Sequence, residues 1–222
     1  MAHFVADGVS NCFPRHTLIP MKLLLFSDLH CDASAARDLV RRSAGVDVAI
    51  GAGDFGSGRR GVAVCIDVLR DLECPAIVVP GNNESLDELR AACVGWETVH
   101  VLHGTGVEIA GRPFFGLGGG VPVTPFGDWS YDFTEDEAAE LLKGFRAGGV
   151  LVTHSPPKGI LDIDAHGKSR GSTTVRDLLS SKKPALVVCG HIHACGGRTE
   201  KVGDTLVVNA GPAGVVIHLP EE

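Results

Sequence analysis

Apolar runs that stop abruptly at polar residues set the rhythm of this chain. The first is Leu23 to Phe26, four large apolar residues in succession, followed by Ser27, Asp28, Leu29 and His30. An amphipathic strand would alternate and a helix needs greater length, so the run predicts a short strand buried on both faces. Val46 to Ile50, Pro75 to Val79, Val150 to Thr153 and Ala185 to Cys189 repeat the design. They run into Asp54, Asn82, His154, and the pair His191 and His193. If extended geometry persists past the first run, Asp28 and His30 project to one side, because residues two apart in a strand share a face.

Between these runs the periodicity becomes helical. Asp32 or Ser34 caps a helix with Ala36, Leu39 and Val40 on one face, and Gly45 ends it. Val62, Cys65, Ile66, Leu69 and Leu72 form the next helical face. Ser85 with Glu88, and Thr134 with Glu137, are capping boxes that open two further helices, and Ser172 caps a last one facing inward through Val175, Leu178 and Leu179. Strands alternating with helices predict an α/β layered fold whose ligands gather beyond the carboxyl ends of the strands. The short pieces Thr98 to Leu102, Gly106 to Ile109 and Arg112 to Leu117 predict a second, more antiparallel sheet, closed by strands at Val202, Leu206 to Val208 and Val215 to Leu219. The long loop from Gly118 to Phe133 is unusually aromatic, with Phe126, Trp129, Tyr131 and Phe133. It reads either as a satellite core or homo-oligomer contact, or as a rim over a binding site.

Composition narrows the function classes. The chain has 222 residues, 44% hydrophobic and 21% charged, which fits one globular domain, with residues 1–20 as an arm or extension and 21–222 as the domain. A net charge of -7 argues against dedicated nucleic-acid binding, whose footprint would be basic. It leaves phosphate chemistry open, because metal ions supply positive charge locally. Seven scattered cysteines without C-x-x-C spacing predict core thiols in a reducing compartment, and no apolar run is long enough to span a membrane. The expectation is a cytoplasmic protein.

Asp28, His30, Asp54, Asn82, His154, His191 and His193 all stand at the ends of apolar runs. Buried imidazoles and carboxylates require partners, and a shared metal centre would provide them. Seven donors exceed one tetrahedral zinc. The mixture of imidazole, carboxylate and amide oxygen suits two octahedral or five-coordinate ions such as manganese, iron or zinc, divalent or of mixed valence.

The series D-x-H, G-A-G-D, G-N, H and G-H-x-H, in that order from Lys22 to Leu219, resembles the calcineurin-like metallophosphoesterase family. The resemblance implies a four-layer α/β/β/α sandwich, two mixed sheets flanked by helices. It implies that Asp28, His30 and His193 bind one ion, that Asn82, His154 and His191 bind the other, and that Asp54 bridges them. Asp54, Asn82 and His154 would then be catalytic, acting on a small phosphoester, mono- or diester. The string H-S-P-P-K-G-I-L-D from His154 is similar to a subgroup with phosphodiesterase and nucleotide phosphatase members. The alternative is a metal-bearing or degenerate scaffold of the same fold that binds a protein partner. One position departs from the family: where it commonly has a histidine that protonates the leaving group, this chain has Asn83, in G-N-N-E. An amide cannot act as a general acid, so His166 or His103 is the candidate replacement, and Glu84 is expected at the amino end of the next helix. Lys168 and Arg170 are candidate phosphate contacts.

Overall fold

A computed structural model describes residues 20–220. The expectation for residues 1–20 as an arm lies outside the described residues except for Pro20. The chain begins with β1 (Met21–Phe26), α1 (Ala33–Arg42), β2 (Val48–Gly51), α2 (Val62–Leu69), β3 (Ala76–Val78), α3 (Leu86–Ala92) and β4 (Val99–Val101). It continues through β5 (Thr105–Ile109), β6 (Arg112–Leu117), α4 (Glu135–Leu141), β7 (Val150–Thr153), α5 (Thr173–Lys182) and β8 (Leu186–Cys189). It ends with β9 (Arg198–Val202), β10 (Thr205–Asn209) and β11 (Val215–Leu219). Local chemistry sets the helix starts as expected: the Asp32 carboxylate caps α1, and Ser85 and Thr134 open α3 and α4 with complete capping boxes.

Two mixed sheets result, in the orders β11-β1-β2-β3-β4 and β5-β6-β7-β8-β10-β9. Leu23, Leu25, Val48, Ile50 and Ile77 of the first sheet meet Phe114, Val150, Val152, Leu186 and Val188 of the second in one buried layer. The outer face of the first sheet packs on α1 to α3 through Leu24, Phe26 and Val78, and that of the second on α4 and α5 through Leu151, Val187 and Val207. Because each central strand is covered on both faces, its sequence is continuously apolar, which is why it lacks alternation. The expected four-layer α/β/β/α sandwich is therefore present.

Two strands differ from expectation. β4 joins the first sheet, parallel to β3 with Ala76 opposite Val99, as the next β-helix-β crossover requires. β11 also joins the first sheet, antiparallel to β1, so 209–214 passes between sheets instead of turning within one. Without β11 the edge of β1 would expose unpaired backbone groups. Both strands are too short for their sequence pattern to record which sheet they enter.

The layer between the sheets should dominate stability. Ile50→Ala, at a fully buried position, is expected to cost about 2–5 kcal/mol in urea unfolding. Val94→Ala, at a side chain 75% exposed, should change it by no more than about 0.5 kcal/mol. Equal costs would contradict this placement of the core.

Candidate metal centre

The parallel strands β1, β2, β3, β7 and β8 end on one side of the sandwich, and all seven predicted donors lie in the turns that follow them. The turns are not extended. Asp28, His30, Asp54 and His191 have φ of 57, 45, 60 and 65°, four of the nine non-glycine residues among those described that occupy the left-handed region. That conformation is costly for such residues and concentrates where surrounding structure enforces a functional geometry. Asp28 and His30 thus converge through a tight turn, and the expected continuation of the strand does not occur. Close packing of the turns also fixes glycines: a Cβ at Gly81 would collide with the Asp54 carboxylate and amide.

The side chains converge. Ligand atoms of Asp28, His30 and His193 lie within 4.8 Å of one another, as do those of Asp28, Asp54 and His154. Asn82 Oδ1 is 3.2 Å from His154 Nε2 and 3.1 Å from His191 Nδ1. Asp54 stands between the halves, one carboxylate oxygen 3.6 Å from His30 Nε2 and the other 3.5 Å from His154 Nε2. Backbone carbonyls orient two rings, Gly56 O at 3.2 Å from His30 Nδ1 and Ala52 O at 2.8 Å from His154 Nδ1. A carbonyl only accepts, so Nδ1 of each carries a proton and Nε2 is the ring nitrogen turned inward, the atom that a histidine gives to a metal once that nitrogen is deprotonated. His30 Nε2 then faces His193 Nε2 at 3.0 Å. Convergent ring nitrogens and an amide oxygen beside buried carboxylates are a donor set that fits a cation.

Electrostatics point the same way. Burial would lower the pKa of His154, but the charge and contact of Asp54, with Asp28 beyond, raise it to about 10. Burial would raise Asp54 and Asp28, yet His154 holds the first below the usual carboxylate range, and His193 together with His154 holds the second below it. His191 is pushed down to about 4 by burial and by repulsion from His154. Without metal, a proton on His154 supplies the positive charge that this acidic centre demands.

Around the donors lie residues whose roles the sequence did not disclose. Glu84 is fully buried and its carboxylate accepts from the backbone N–H groups of Asp54, Gly56 and Gly81 at 2.8, 3.0 and 2.7 Å. It clamps two ligand turns together, so its expected role at the start of the next helix is corrected. Burial, then the Asp54 charge, raises its pKa to about 7. Asn83 donates from its backbone to one Asp54 oxygen at 2.9 Å and from its amide to the other at 2.7 Å, leaving its own Oδ1 to accept from Gly58. Ser27 donates to Asp28, and the Asn82 amide donates to Ser130 Oγ at 3.0 Å. The serines carry no sequence signal beyond adjacency to a motif or a loop.

The centre opens into a cleft of 580 Å³ walled by the aromatic loop and by the segment from Lys158 to Arg170. His166 and Arg170 line it, the latter paired with Asp164 at 2.9 Å, whereas Lys168 is not part of its lining. His103 lies elsewhere: Nδ1 accepts from Gly118, the ring packs on Phe133 and Tyr131, and burial pushes its pKa down to about 4. The aromatic loop divides accordingly. Tyr131 and Phe133 join that satellite cluster, and Phe126 and Trp129 are exposed at the cleft.

A two-sheet sandwich with this constellation at its strand ends defines a class. The family model of the calcineurin-like phosphoesterase superfamily domain matches residues 21–221, and the chain belongs to that superfamily. No curated protein matches the sequence. Among solved structures, TT1561 of Thermus thermophilus is similar with a TM-score of 0.70 at 20% identity, over 87% of this chain and 90% of that one. Phosphopantetheinyl hydrolase from Mycobacterium tuberculosis has a TM-score of 0.58 at 18% identity, over 86% and 88%. A dimetal phosphatase from Danio rerio has a TM-score of 0.58 at 12% identity, over 87% of each chain. At such identities the likeness is one of fold. No helix among the described residues is long and apolar enough to cross a membrane.

Two outcomes are expected for the centre itself. Asn83→Ala removes the amide that holds one Asp54 oxygen, while the backbone donor to the other remains, and should weaken divalent-metal affinity by about 10-fold or more in calorimetric titration; an unchanged affinity would deny the Asn83 side chain its orienting role. The second concerns pH. His154 keeps its proton to about pH 10 in the fold against an ordinary 6.5, so its stabilisation is full below 6.5 and lost as pH rises through 10. Glu84, raised from 4.5 to about 7, acts with the same sign at lower pH. The melting temperature of metal-stripped protein should therefore fall from pH 6.5 to 10, and saturating manganese should flatten that slope. Parallel slopes with and without metal would contradict this.

Proposed function

We propose that this chain hydrolyses phosphate mono- or diesters, of the phosphodiesterase or nucleotide phosphatase type, with two divalent transition metal ions. In this reading Asp28, His30 and His193 hold one ion, Asn82, His154 and His191 the other, and Asp54 both. The observation that carries it is the Asp54 carboxylate, which turns one oxygen toward His30 and the other toward His154. Bound ions of this kind polarise a phosphoryl oxygen and lower the pKa of water toward about 7. The protein's contribution is positioning: Glu84 and Asn83 fix Asp54, and Ala52 and Gly56 fix the rings. Lys158 and Arg170 in the opposite wall offer cationic donors to the substrate's negative charge.

The leaving group poses a separate problem. Asn83 is no proton donor and its amide is committed to Asp54. Of the two histidines that could replace it, only His166 lines the cleft, and it takes the role here. General acid catalysis contributes about 10² to 10⁴ in rate and matters most for poor leaving groups. His166→Ala should therefore slow alkyl esters far more than aryl esters; equal losses on both would remove His166 from the chemistry.

Metal analysis with an aryl phosphate assay tests the main proposal. Asp54→Asn and His154→Ala should each lose metal and activity, the first more severely. A parent protein with no bound transition metal and no manganese-stimulated hydrolysis of aryl phosphate mono- or diesters would instead favour the scaffold reading, for which the replacement at Asn83 is the specific support.

A further inference from the structure

The cleft beside the donors has two unlike walls. Among the described residues seven large hydrophobic side chains are exposed, and three of them, Val123, Phe126 and Trp129, line this one cleft. Phe126 and Trp129 are the two aromatic members of the seven, 52% and 41% exposed. Their rings stack with centroids 5.7 Å apart and planes inclined by 21°, forming a flat apolar shelf. Scattered surface hydrophobics need no explanation, but a cluster at the mouth of a polar site marks recognition.

The Trp129 end of the shelf is tied to the donors by hydrogen bonds. Ser130, next to Trp129, accepts from the Asn82 amide at 3.0 Å, and the Tyr131 backbone N–H donates to Asn82 O at 2.9 Å. Ser130 is fixed in turn by Asp132, which accepts from its hydroxyl at 2.9 Å and from the Thr124 backbone at 2.8 Å. Arg59 Nη1 donates to the Trp129 carbonyl at 3.3 Å. Hydrogen bonds therefore lead from a predicted metal ligand to the aromatic shelf in one residue step. A phosphoryl group at the donors leaves its organic substituent in the cleft that the shelf walls. Pre-ordered aromatic faces favour a planar substituent, because stacking loses little when the platform is already fixed.

We propose that Phe126 and Trp129 form a stacking subsite that selects phosphoesters whose organic part carries a planar aromatic group, of the nucleoside phosphate kind. This rests on the phosphoesterase reading of the same site. The subsite adds affinity through the substituent, independently of how fast the ester bond breaks.

Adenosine 5′-monophosphate and ribose 5-phosphate share the same primary alkoxide and differ in the base, so comparing them separates recognition from leaving-group chemistry. Calorimetric titration of the manganese-loaded protein with the methylene phosphonate analogue of each, which it cannot hydrolyse, should give a dissociation constant about ten-fold or more lower for the nucleotide. In Phe126→Ala/Trp129→Ala the ratio should fall to about two or less, with metal content unchanged. A ratio near one in the parent overturns the proposal, as does a ratio that survives the double substitution; a change of oligomeric state beside it would assign the two rings to an interface. If the double variant fails to fold, the parent ratio and that of Trp129→Ala alone decide. Failure of the two readings is distinguishable: selective binding without hydrolysis of any phosphoester keeps the subsite and removes the enzyme. Hydrolysis with equal affinities does the reverse.

Discussion

The placement of Asp54 is the constraint on which the centre depends. Its carboxylate is 2% exposed, close to a second buried carboxylate, Asp28, and flanked by imidazole rings. Like charges cannot be held in a low-dielectric interior without a compensating cation. In the metal-free chain the proton on His154 supplies that charge, held there by the Asp54 carboxylate with Asp28 beyond it. Divalent ions satisfy that requirement better than a proton, since they answer both carboxylates and the ring nitrogens of His30 and His193 at once.

The fold exists around that constraint in a definite sense. Two sheets packed face to face bring the carboxyl ends of five parallel strands to one side, and the turns there carry the donors in conformations that free peptides avoid. Burial of Leu23, Ile50, Val152 and Val188 between the sheets supplies the rigidity that keeps such turns in place. The His154 ring spans the interface between the sheets, its Nδ1 on Ala52 O, so the packing of the two layers and the geometry of the centre are one problem. Glu84 and Asn83 lock together the turns that follow β2 and β3, neighbours within the first sheet.

Much of this is legible in the sequence because buried parallel strands leave a continuous apolar signature and the donors interrupt it. Asp28, Asp54, Asn82, His154 and the G-H-I-H pair stand out as polar residues where an apolar run ends, and all are brought together. The sheet membership of β4 and β11 is not legible, since three to five residues specify that a strand forms but not its neighbour. The left-handed turn at Asp28 and His30 escapes a sequence reading because extended geometry is the default for D-x-H after a strand, and only contacts from distant turns override it. Glu84 escapes it for the same reason: its partners at Asp54 and Gly56 lie 30 and 28 positions away in sequence. The aromatic loop reads as either a packed cluster or a rim, and it is both, Tyr131 and Phe133 serving the first and Phe126 and Trp129 the second.

The most direct measurement is a crystal structure of manganese-loaded protein with anomalous scattering collected at the metal edge. The account predicts two peaks on either side of Asp54, one ligated by Asp28, His30 and His193, the other by Asn82, His154 and His191. A single ion that Asp54 does not touch, or no ion at these residues, would contradict it.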